Sequence, residues 1–428
     1  MHHLRHADAR RWGALMAALA ALAACDSSQT GAPTQPDVGD LPDICTGLGP
    51  SAGAPIPVGG CQLSAGGSRT CLRREEGSVA CFGNTLYGAN MPGQTPIAID
   101  SLGTAVHRVI AGPNHSCAIQ ADGAVSCWGA NDKGQLGSGM ATDAPSTTTV
   151  DLANPCGPAR ALALGFRHTC AALLDGTVRC WGMNYRGALG DPSTTDYFKP
   201  TPVRVRNLGS KAVALASANH TTCAVIDDGA VRCWGYNKQG QVGSGSMAEE
   251  VHRAERVALD RAASDVVAGR DFVCALASDK TVWCWGSGTS YAQGQQVPAV
   301  CKTDSSQNDE PCTRTPIQVP GLADVEEIAA GTFTVCARTS SGELFCWGQV
   351  RLGTMSTAMS PIRVPFSSPI GPGIALGENH LCVRTTIGEV HCWGDAQQGQ
   401  VGIDGNFVCK CVREPTPVPM LACAPPSP

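Results

Sequence analysis

Paired cysteines are the residues in this chain whose type and spacing could carry chemistry. The 428 residues include 23 cysteines, and two thiols at a fixed spacing can bind a metal ion or form a disulfide. Zinc sites usually take four Cys or His ligands at short spacings such as Cys-x-x-Cys. The wider spacing found here favours disulfides, and we predict no metal site. Seven pairs have members ten positions apart: Cys71 and Cys81, Cys117 and Cys127, Cys170 and Cys180, Cys223 and Cys233, Cys274 and Cys284, Cys336 and Cys346, Cys382 and Cys392.

Histidines close to these pairs suggest acid–base catalysis. His115, His168 and His380 stand two residues before the first cysteine of a pair, and His220 stands three before. Three of them share one register, so they occupy equivalent places in separate repeats. No nucleophile or carboxylate accompanies them at a fixed spacing. We therefore predict a packing role for these histidines, assign no catalytic residue and expect no cofactor.

Each cysteine pair belongs to a repeated cassette, such as HTCAALLDGTVRCWG at 168–182. Apolar runs on either side of Asp-Gly indicate a β-hairpin. A three-residue turn with glycine in the left-handed region would place the cysteines directly opposite each other, at disulfide distance. We predict a Cys170–Cys180 disulfide and a positive φ at Gly176. Lys280 replaces this glycine in the fifth cassette, where we expect either a strained left-handed residue or a different turn.

Two further strand signals recur between the hairpins. One is a Pro-x-x-Val type stretch, such as TPVRV at 201, and the other is a small-residue run, such as LALG at 162. With the hairpin they make four strands for each unit of roughly 40 to 60 residues, a period typical of propeller blades. The predicted fold class is all-β: a seven-bladed β-propeller with four-stranded blades, each inner hairpin stapled by a disulfide. The last such stretch, TPVPM at 416, is expected to return and complete the first blade.

The N-terminus is similar to a bacterial lipoprotein signal. Three arginines precede an apolar run at 12–24 that is too short to span a bilayer, and this run ends in Leu-Ala-Ala-Cys. The resemblance implies that residues 1–24 are removed and that Cys25 is lipidated. An ordinary signal peptide, which would leave Cys25 free, is the alternative. Residues 25–60 are rich in Pro, Gly and Ser and predict a flexible tether, which leaves 61–423 for the propeller.

Composition and charge limit the location and the partners of the protein. So many cysteines suit an oxidising compartment. Removal of residues 1–24 would leave 28 basic and 35 acidic residues, which moves the formal charge from -5 to -7. An acidic protein is a poor nucleic-acid binder. We expect a monomer in the cell envelope, at the outer membrane or the periplasmic face of the inner membrane. The membrane contact would be the N-terminal lipid, and the partner an envelope or extracellular protein or glycan.

The longest insertion in the repeat array, 287–314, is the predicted binding loop. Additions to a repeat array collect on one face and often bind. We expect Cys301 and Cys312 to staple this loop, although a staple could also serve only to resist proteolysis. The candidate binding residues are Tyr291, Lys302, Asp304, Asp309 and Glu310. The spacing leaves open how the other six cysteines pair: Cys45, Cys61, Cys156, Cys409, Cys411 and Cys423.

Strings such as RHTCAALLDGTVRCWGMNYRGALG and NHTTCAVIDDGAVRCWGYNKQGQVG resemble repeats of the regulator of chromosome condensation family, over about residues 61–420. The resemblance implies a seven-bladed propeller with a binding face. Members include a nucleotide-exchange factor on chromatin, ubiquitin-ligase domains and a secreted bacterial inhibitor of β-lactamases. We expect a lipid-anchored, extracytoplasmic scaffold that binds a protein or a glycan, rather than an enzyme. The alternatives are an active site at the propeller axis and, by family analogy, guanine-nucleotide exchange.

Overall fold

Seven antiparallel sheets form a β-propeller in the computed structural model, which describes residues 60–84, 93–150, 157–297, 300–301, 310–350, 356–403 and 411–418. Blade 1 contains β1 Gln62–Gly66, β2 Arg69–Arg73, β3 Val79–Gly83 and β4 Gly93–Ala98. Blade 2 contains β5 Val106–Ala111, β6 His115–Gln120, β7 Val125–Asn131 and β8 Thr142–Val150. Blade 3 contains β9 Ala159–Leu164, β10 His168–Leu173, β11 Val178–Met183 and β12 Phe198–Arg204. Blade 4 contains β13 Ala212–Ala218, β14 Thr221–Ile226, β15 Val231–Tyr236 and β16 Glu250–Arg256.

The remaining blades follow the same order. Blade 5 contains β17 Ala263–Ala268, β18 Phe272–Ala277, β19 Val282–Ser287, β20 Val300–Cys301 and β21 Glu310–Gln318. Blade 6 contains β22 Val325–Ala330, β23 Thr334–Thr339, β24 Leu344–Val350 and β25 Ser356–Val364. Blade 7 contains β26 Ile370–Leu376, β27 His380–Thr385, β28 Val390–Asp395 and β29 Cys411–Pro417. Short 3-10 helices lie at Asp100–Leu102 and Tyr185–Gly187.

Disulfides join the two central strands of every blade, so the predicted fold class is confirmed. Cys170 lies directly opposite Cys180 in the β10–β11 register, with Cα atoms 4.1 Å apart, and the other six pairs repeat this arrangement. The first strand of each blade contacts the first strands of its neighbours. The stapled hairpin therefore lies one strand out from the axis, between the axial strand and the outer strand.

The expectation that residues 416–420 complete the first blade is wrong. In the described part of this stretch, Thr416 pairs with Cys392 and Pro417 with His391, so β29 is the outer strand of blade 7. Every Pro-x-x-Val stretch behaves in this way, because the chain that leaves a hairpin turns back onto the hairpin's second strand. Blade 1 instead meets blade 7 through its axial strand, where the Glu378 N–H donates to the Gly67 carbonyl at 2.8 Å.

The hairpin turns have the predicted left-handed residue. Gly176 has φ 92°, and its N–H donates to the Leu173 carbonyl at 2.9 Å. Lys280 keeps the same turn with φ 66°, and its N–H donates to Ala277 at 2.9 Å. The left-handed conformation costs a residue with a side chain about 1 to 2 kcal/mol. Lys280 is therefore strained at a position where the other six hairpin turns have glycine.

Tryptophan joins each of several blades to the preceding one. Each indole is buried, and its Nε1 donates to a carbonyl in the loop that follows the preceding blade's hairpin. After the hairpins of blades 2, 3 and 4 that loop contains the Gly-x-x-Gly tail of the repeat, so the tryptophan of one cassette contacts the tail of the preceding cassette. The bonds run from Trp181 to Gln135 at 3.0 Å, Trp234 to Ala188 at 3.1 Å, Trp285 to Gln241 at 2.8 Å and Trp347 to Ala292 at 2.7 Å.

Histidine makes a second contact between blades. Each of three buried rings uses Nε2 to hydrogen-bond a threonine hydroxyl of the following blade: His115 to Thr169 at 2.7 Å, His168 to Thr222 at 2.9 Å and His380 to Thr70 at 2.7 Å. We call these bonds the histidine clasps. The third clasp joins blade 7 to blade 1. These contacts give the histidines the packing role that their register suggests.

The clasp position changes around the ring. In blade 1 it holds Arg69, which donates to the Ser116 hydroxyl of blade 2 at 3.3 Å. In blades 4, 5 and 6 the next blade offers no hydroxyl at the partner position, because that residue is apolar: Val273, Val335 and Leu381. Polar clasps thus connect blades 7, 1, 2, 3 and 4, and apolar residues take their place in the rest of the ring.

Several predicted features lie outside the described residues. They are residues 1–59 with Cys25 and Cys45, the loop residues Lys302, Asp304 and Asp309, and Cys156, Cys409 and Cys423. Cys61 is described and is disulfide-bonded. Among the residues that the structure describes, no helix has the length and apolar content needed to cross a bilayer.

The first prediction concerns the disulfide staples. Replacing Cys170 and Cys180 together by alanine should lower the free energy of unfolding by up to roughly 2.8 kcal/mol, because the unfolded chain is no longer cross-linked across the eleven-residue loop. Thermal or denaturant unfolding measures the change. A free-thiol assay on denatured, unreduced wild-type protein is the control, and about fourteen reactive thiols there would contradict the staples.

The second prediction concerns the histidine clasps. Burial lowers the pKa of His115 and His168 to about 3 and that of His380 to about 4. In the unfolded chain histidine titrates near about 6.5, so below that pH the unfolded state binds more protons. Stability should therefore fall as the pH drops from about 6.5 towards 4, by up to about 1.4 kcal/mol per pH unit for each histidine. Changing all three to glutamine should flatten this decline in melting temperature, whereas exposed His252→Gln should not. Equal slopes in the two variants would contradict the clasps.

Candidate binding surface at the axial mouth

The seven axial strands leave a cavity of about 440 Å³ at the end where they turn into the stapled hairpins. We call this cavity the axial mouth. All seven blades line it, largely with glycine, alanine and backbone. A Cβ at Gly331 would collide with the Gly377 carbonyl, and one at Gly66 would collide with the Ala111 carbonyl. The small-residue runs are therefore small because neighbouring axial strands approach closely here.

Three arginines lie over aromatic rings around the axial mouth. The guanidinium carbons lie 5.0 to 5.7 Å from the ring centroids, a distance that permits cation–π attraction. Phe166 and Tyr185 are 41% and 36% exposed, so their rings reach solvent. The pairs, which we call the arginine–aromatic rim, are Arg167 with Phe166, Arg186 with Tyr185, and Arg270 with Phe333.

Ion pairs hold the rim arginines in place. Each of the three guanidinium groups meets a carboxylate, which for Arg270 is that of the next residue in the chain. Arg186 also has a left-handed backbone, with φ 60°, which costs energy in a residue with a side chain. The partners are Asp132 for Arg167 at 2.9 Å, Glu250 for Arg186, and Asp271 for Arg270 at 3.6 Å.

His220 connects the rim between blades 3 and 4. Its ring lies 4.9 Å from Tyr185 and 6.3 Å from Phe166, both edge-on, and Tyr185 meets the 54% exposed Tyr197 at 6.5 Å. Burial and the nearby Arg167 and Arg186 lower the pKa of His220 to about 4. The ring is therefore neutral at physiological pH and belongs to an aromatic cluster.

Backbone bonds between blades fix the rim loops. The Phe166 N–H donates to the Asn219 carbonyl of blade 4 at 2.9 Å, and the Arg270 N–H donates to the Thr332 carbonyl of blade 6 at 3.0 Å. Loops held at both ends lose little conformational entropy when they bind a partner. The rim is thus a preformed surface.

The predicted binding loop extends blade 5 by a short fifth strand. β20 pairs with β21, and Cys301 and Cys312 are disulfide-bonded across this extension, with Cα atoms 5.6 Å apart. Glu310 is exposed and accepts a hydrogen bond from Gln239 of blade 4. Arg314 donates to the Ser246 carbonyl of blade 4 at 3.0 Å. The base of the loop is therefore fastened to the blade that also carries His220.

Two of the five predicted loop residues, Tyr291 and Glu310, lie in the part of the chain that the structure describes. Tyr291 is half-buried in the turn before the extension, with φ 57°, and its carbonyl accepts the Gly294 N–H at 3.0 Å. Of the candidates, Glu310 is the exposed residue among those described, and the tip residues lie outside the described ranges. Tyr291 thus lies at the base of the loop, and its role as a binding residue stays a prediction.

The repeat pattern of the sequence does not predict the rim. Phe166, Arg270 and Phe333 lie in the short loops between a small-residue run and the first hairpin strand, where the repeat has no fixed residue types. Aromatic residues make up only 5% of the chain, so aromatics in such loops were a usable signal. The part of the chain that the structure describes holds no group of three or more His, Cys, Asp or Glu placed to bind a metal ion.

Comparisons with known proteins agree with the fold. Two sequence models match the chain, both described as the regulator of chromosome condensation (RCC1) repeat. One of them matches residues 175–225. The other matches residues 106–135, 159–188, 263–293, 325–349 and 373–400.

Similar proteins come from animals and plants. E3 ubiquitin-protein ligase HERC2 of Mus musculus is 28% identical over 305 residues, which are 66% of this chain and 6% of HERC2. Ultraviolet-B receptor UVR8 of Arabidopsis thaliana is 26% identical over 282 residues, which are 65% of this chain and 61% of UVR8. The match therefore spans less than two thirds of either relative.

Solved structures share the architecture. Prp20p of Saccharomyces cerevisiae superposes with a TM-score of 0.68 at 18% identity, over 85% of this chain and 87% of Prp20p. Human WBSCR16 superposes with a TM-score of 0.64 at 20% identity, over 79% of this chain and 94% of WBSCR16. At these identities the likeness establishes the fold alone. The chain is thus a seven-bladed propeller, and the stretches that the two models match carry regulator of chromosome condensation repeats.

Proposed function

We propose that this protein is an exported binding scaffold, anchored to the cell envelope by a lipid on Cys25, which binds a protein or glycan partner through the axial mouth. The arginine–aromatic rim carries the proposal. Arginine and large aromatic side chains are enriched among the residues that dominate binding energy at interfaces. Here they lie beside a concave opening, over blades 3 to 6.

Preorganisation strengthens the rim as a binding surface. Arg167 and Arg186 are each held by an aromatic ring and a carboxylate, so their rotamers are largely set before a partner arrives. Immobilising a flexible side chain on binding costs roughly 0.5 to 1.5 kcal/mol, and a surface that is already ordered avoids much of this cost. The ion pairs also leave little net charge, which suits an aromatic interface better than binding to a polyanion.

Similar propellers support binding as the function. Prp20p has been described with its binding to Gsp1p and histones and has been solved bound to Kap60. The acidic charge of this chain favours a partner other than nucleic acid. Eight described disulfides, seven within hairpins and one in the blade 5 extension, support an oxidising compartment.

The third prediction tests the rim. The double variant Phe166→Ala, Tyr185→Ala should lose its partner in a pull-down from envelope extract, with affinity reduced about tenfold or more, because two exposed anchors are removed. Ile387→Ala is the matched control, since Ile387 is 61% exposed in the hairpin turn of blade 7, on the opposite face. Equal capture by the two variants would contradict the rim as the binding surface. Protease treatment of the captured material distinguishes a protein partner from a glycan.

The fourth prediction tests the anchor. Cys25→Ser should abolish incorporation of a labelled fatty acid and move the protein from the membrane to the soluble fraction, because the acyl chains supply the membrane affinity. Asp26→Ala, which keeps the cysteine, should remain labelled. A Cys25→Ser protein that still carries the label would contradict lipidation at this residue.

A further inference from the structure

A second cavity lies at the opposite end of the axis, away from the rim. We call it the axial base. Its volume is about 450 Å³, and the first halves of the axial strands of blades 2 to 6 line it. Its walls combine Leu162, Leu215 and Leu276 with the charged Arg108, Asp265 and Lys280.

Backbone groups of three axial strands face this cavity. β9, β13 and β17 are the terminal strands of their sheets, so one edge of each has no strand partner. Elsewhere in the ring, side chains occupy such edges: Gln62 exchanges hydrogen bonds with Val109 at 3.0 and 3.2 Å, and Glu327 accepts the N–H groups of Gly373 and Ile374 at 3.0 and 2.9 Å. Among the described residues of β9, β13 and β17 that line the axial base, no side chain forms a comparable bridge to the next axial strand.

The charges at the axial base are of two kinds. Lys280 and Glu326 pair with each other at 3.1 Å. Arg108 and Asp265 both face the cavity, and neither takes part in an ion pair with another described residue. The backbone N–H of Val266 donates to the Asp265 carboxylate at 2.8 Å. Burial raises the pKa of Asp265, and Arg108 is near enough to offset part of that rise.

We propose that the axial base binds a short peptide with free termini, its carboxylate at Arg108 and its ammonium group at Asp265. The cavity presents one positive and one negative group, neither of which has an ion-pair partner among the described residues, and this combination matches a zwitterion. A dianion would be repelled by Asp265 and a dication by Arg108, and a neutral ligand would bring no counter-charge to the largely buried Asp265 carboxylate.

The open strand edges favour a peptide over a single amino acid as the ligand. An extended chain of two or three residues spans roughly 7 to 10 Å and offers amide groups that can pair with strand edges. The leucine side chains of the wall can contact small apolar side chains of such a peptide. This site is separate from the rim, so its test does not depend on the proposed scaffold function.

Trialanine is the probe, measured by calorimetric titration of the full-length, oxidised protein. We expect millimolar or tighter binding, weakened about tenfold or more for N-acetyl-trialanine and for trialanine amide, because each lacks one terminal charge. Alanine should bind more weakly than trialanine, since it cannot pair along the strand edges. Absence of trialanine binding, equal binding of the two blocked peptides and the free one, or equal binding of alanine would overturn the proposal.

Two variants test which residue binds each terminus of the peptide. Asp265→Asn should lose the preference for the free over the acetylated amino terminus, and Arg108→Gln should lose the preference for the free over the amidated carboxyl terminus. Asp100→Asn, an exposed carboxylate outside the cavity, is the matched control and should keep both preferences. Unchanged melting temperatures establish that the variants fold. Variants that fold and retain both preferences would overturn the assignment.

Discussion

Seven axial strands converge around one axis, and this convergence limits the size of the side chains that can face it. At the axial mouth neighbouring strands approach so closely that a Cβ has no room, and the chain places Gly331 and Gly377 there. Cavities lie at both ends of the axial strands, at the mouth and at the base. Both candidate sites thus follow from the arrangement of the same seven strands around one axis.

Stability is divided between contacts within blades and contacts between them. Within a blade, the disulfide cross-links the central hairpin and leaves the outer strand to ordinary sheet pairing. Between blades, buried polar groups add hydrogen bonds to apolar packing: the indole of Trp181 and the ring of His115 each bond to a group of the adjacent blade. A buried donor that loses its acceptor costs about 1 to 3 kcal/mol, so these bonds also specify which surfaces of two blades meet.

The sequence predicts best those features that recur in every repeat. The ten-residue spacing is enough to predict the Cys170–Cys180 staple. The missing glycine singles out Lys280 but leaves open a left-handed residue or a different turn, and the structure shows the first, with φ 66°. A repeat is circular, however, so its period does not tell which strand begins a blade. Only the pairing of Thr416 with Cys392 shows that the Pro-x-x-Val strand ends a blade, and this is why the first-blade closure was wrong. The sequence does not predict the rim, because Phe166 and Phe333 come from different repeats and only the closed ring places their loops at the same mouth.

Departures from the repeat concentrate on one half of the ring. Polar clasps cease after blade 4, the stapled extension belongs to blade 5, and the rim runs over blades 3 to 6 from Phe166 to Phe333. The open strand edges of the axial base belong to blades 3 to 5. A ring of seven equal blades would present the same residues seven times and could not bind an asymmetric partner at one place. Specific recognition needs blades that differ, and blades 3 to 6, which keep the tryptophan contacts, are the blades that offer distinct side chains at both ends of the axis.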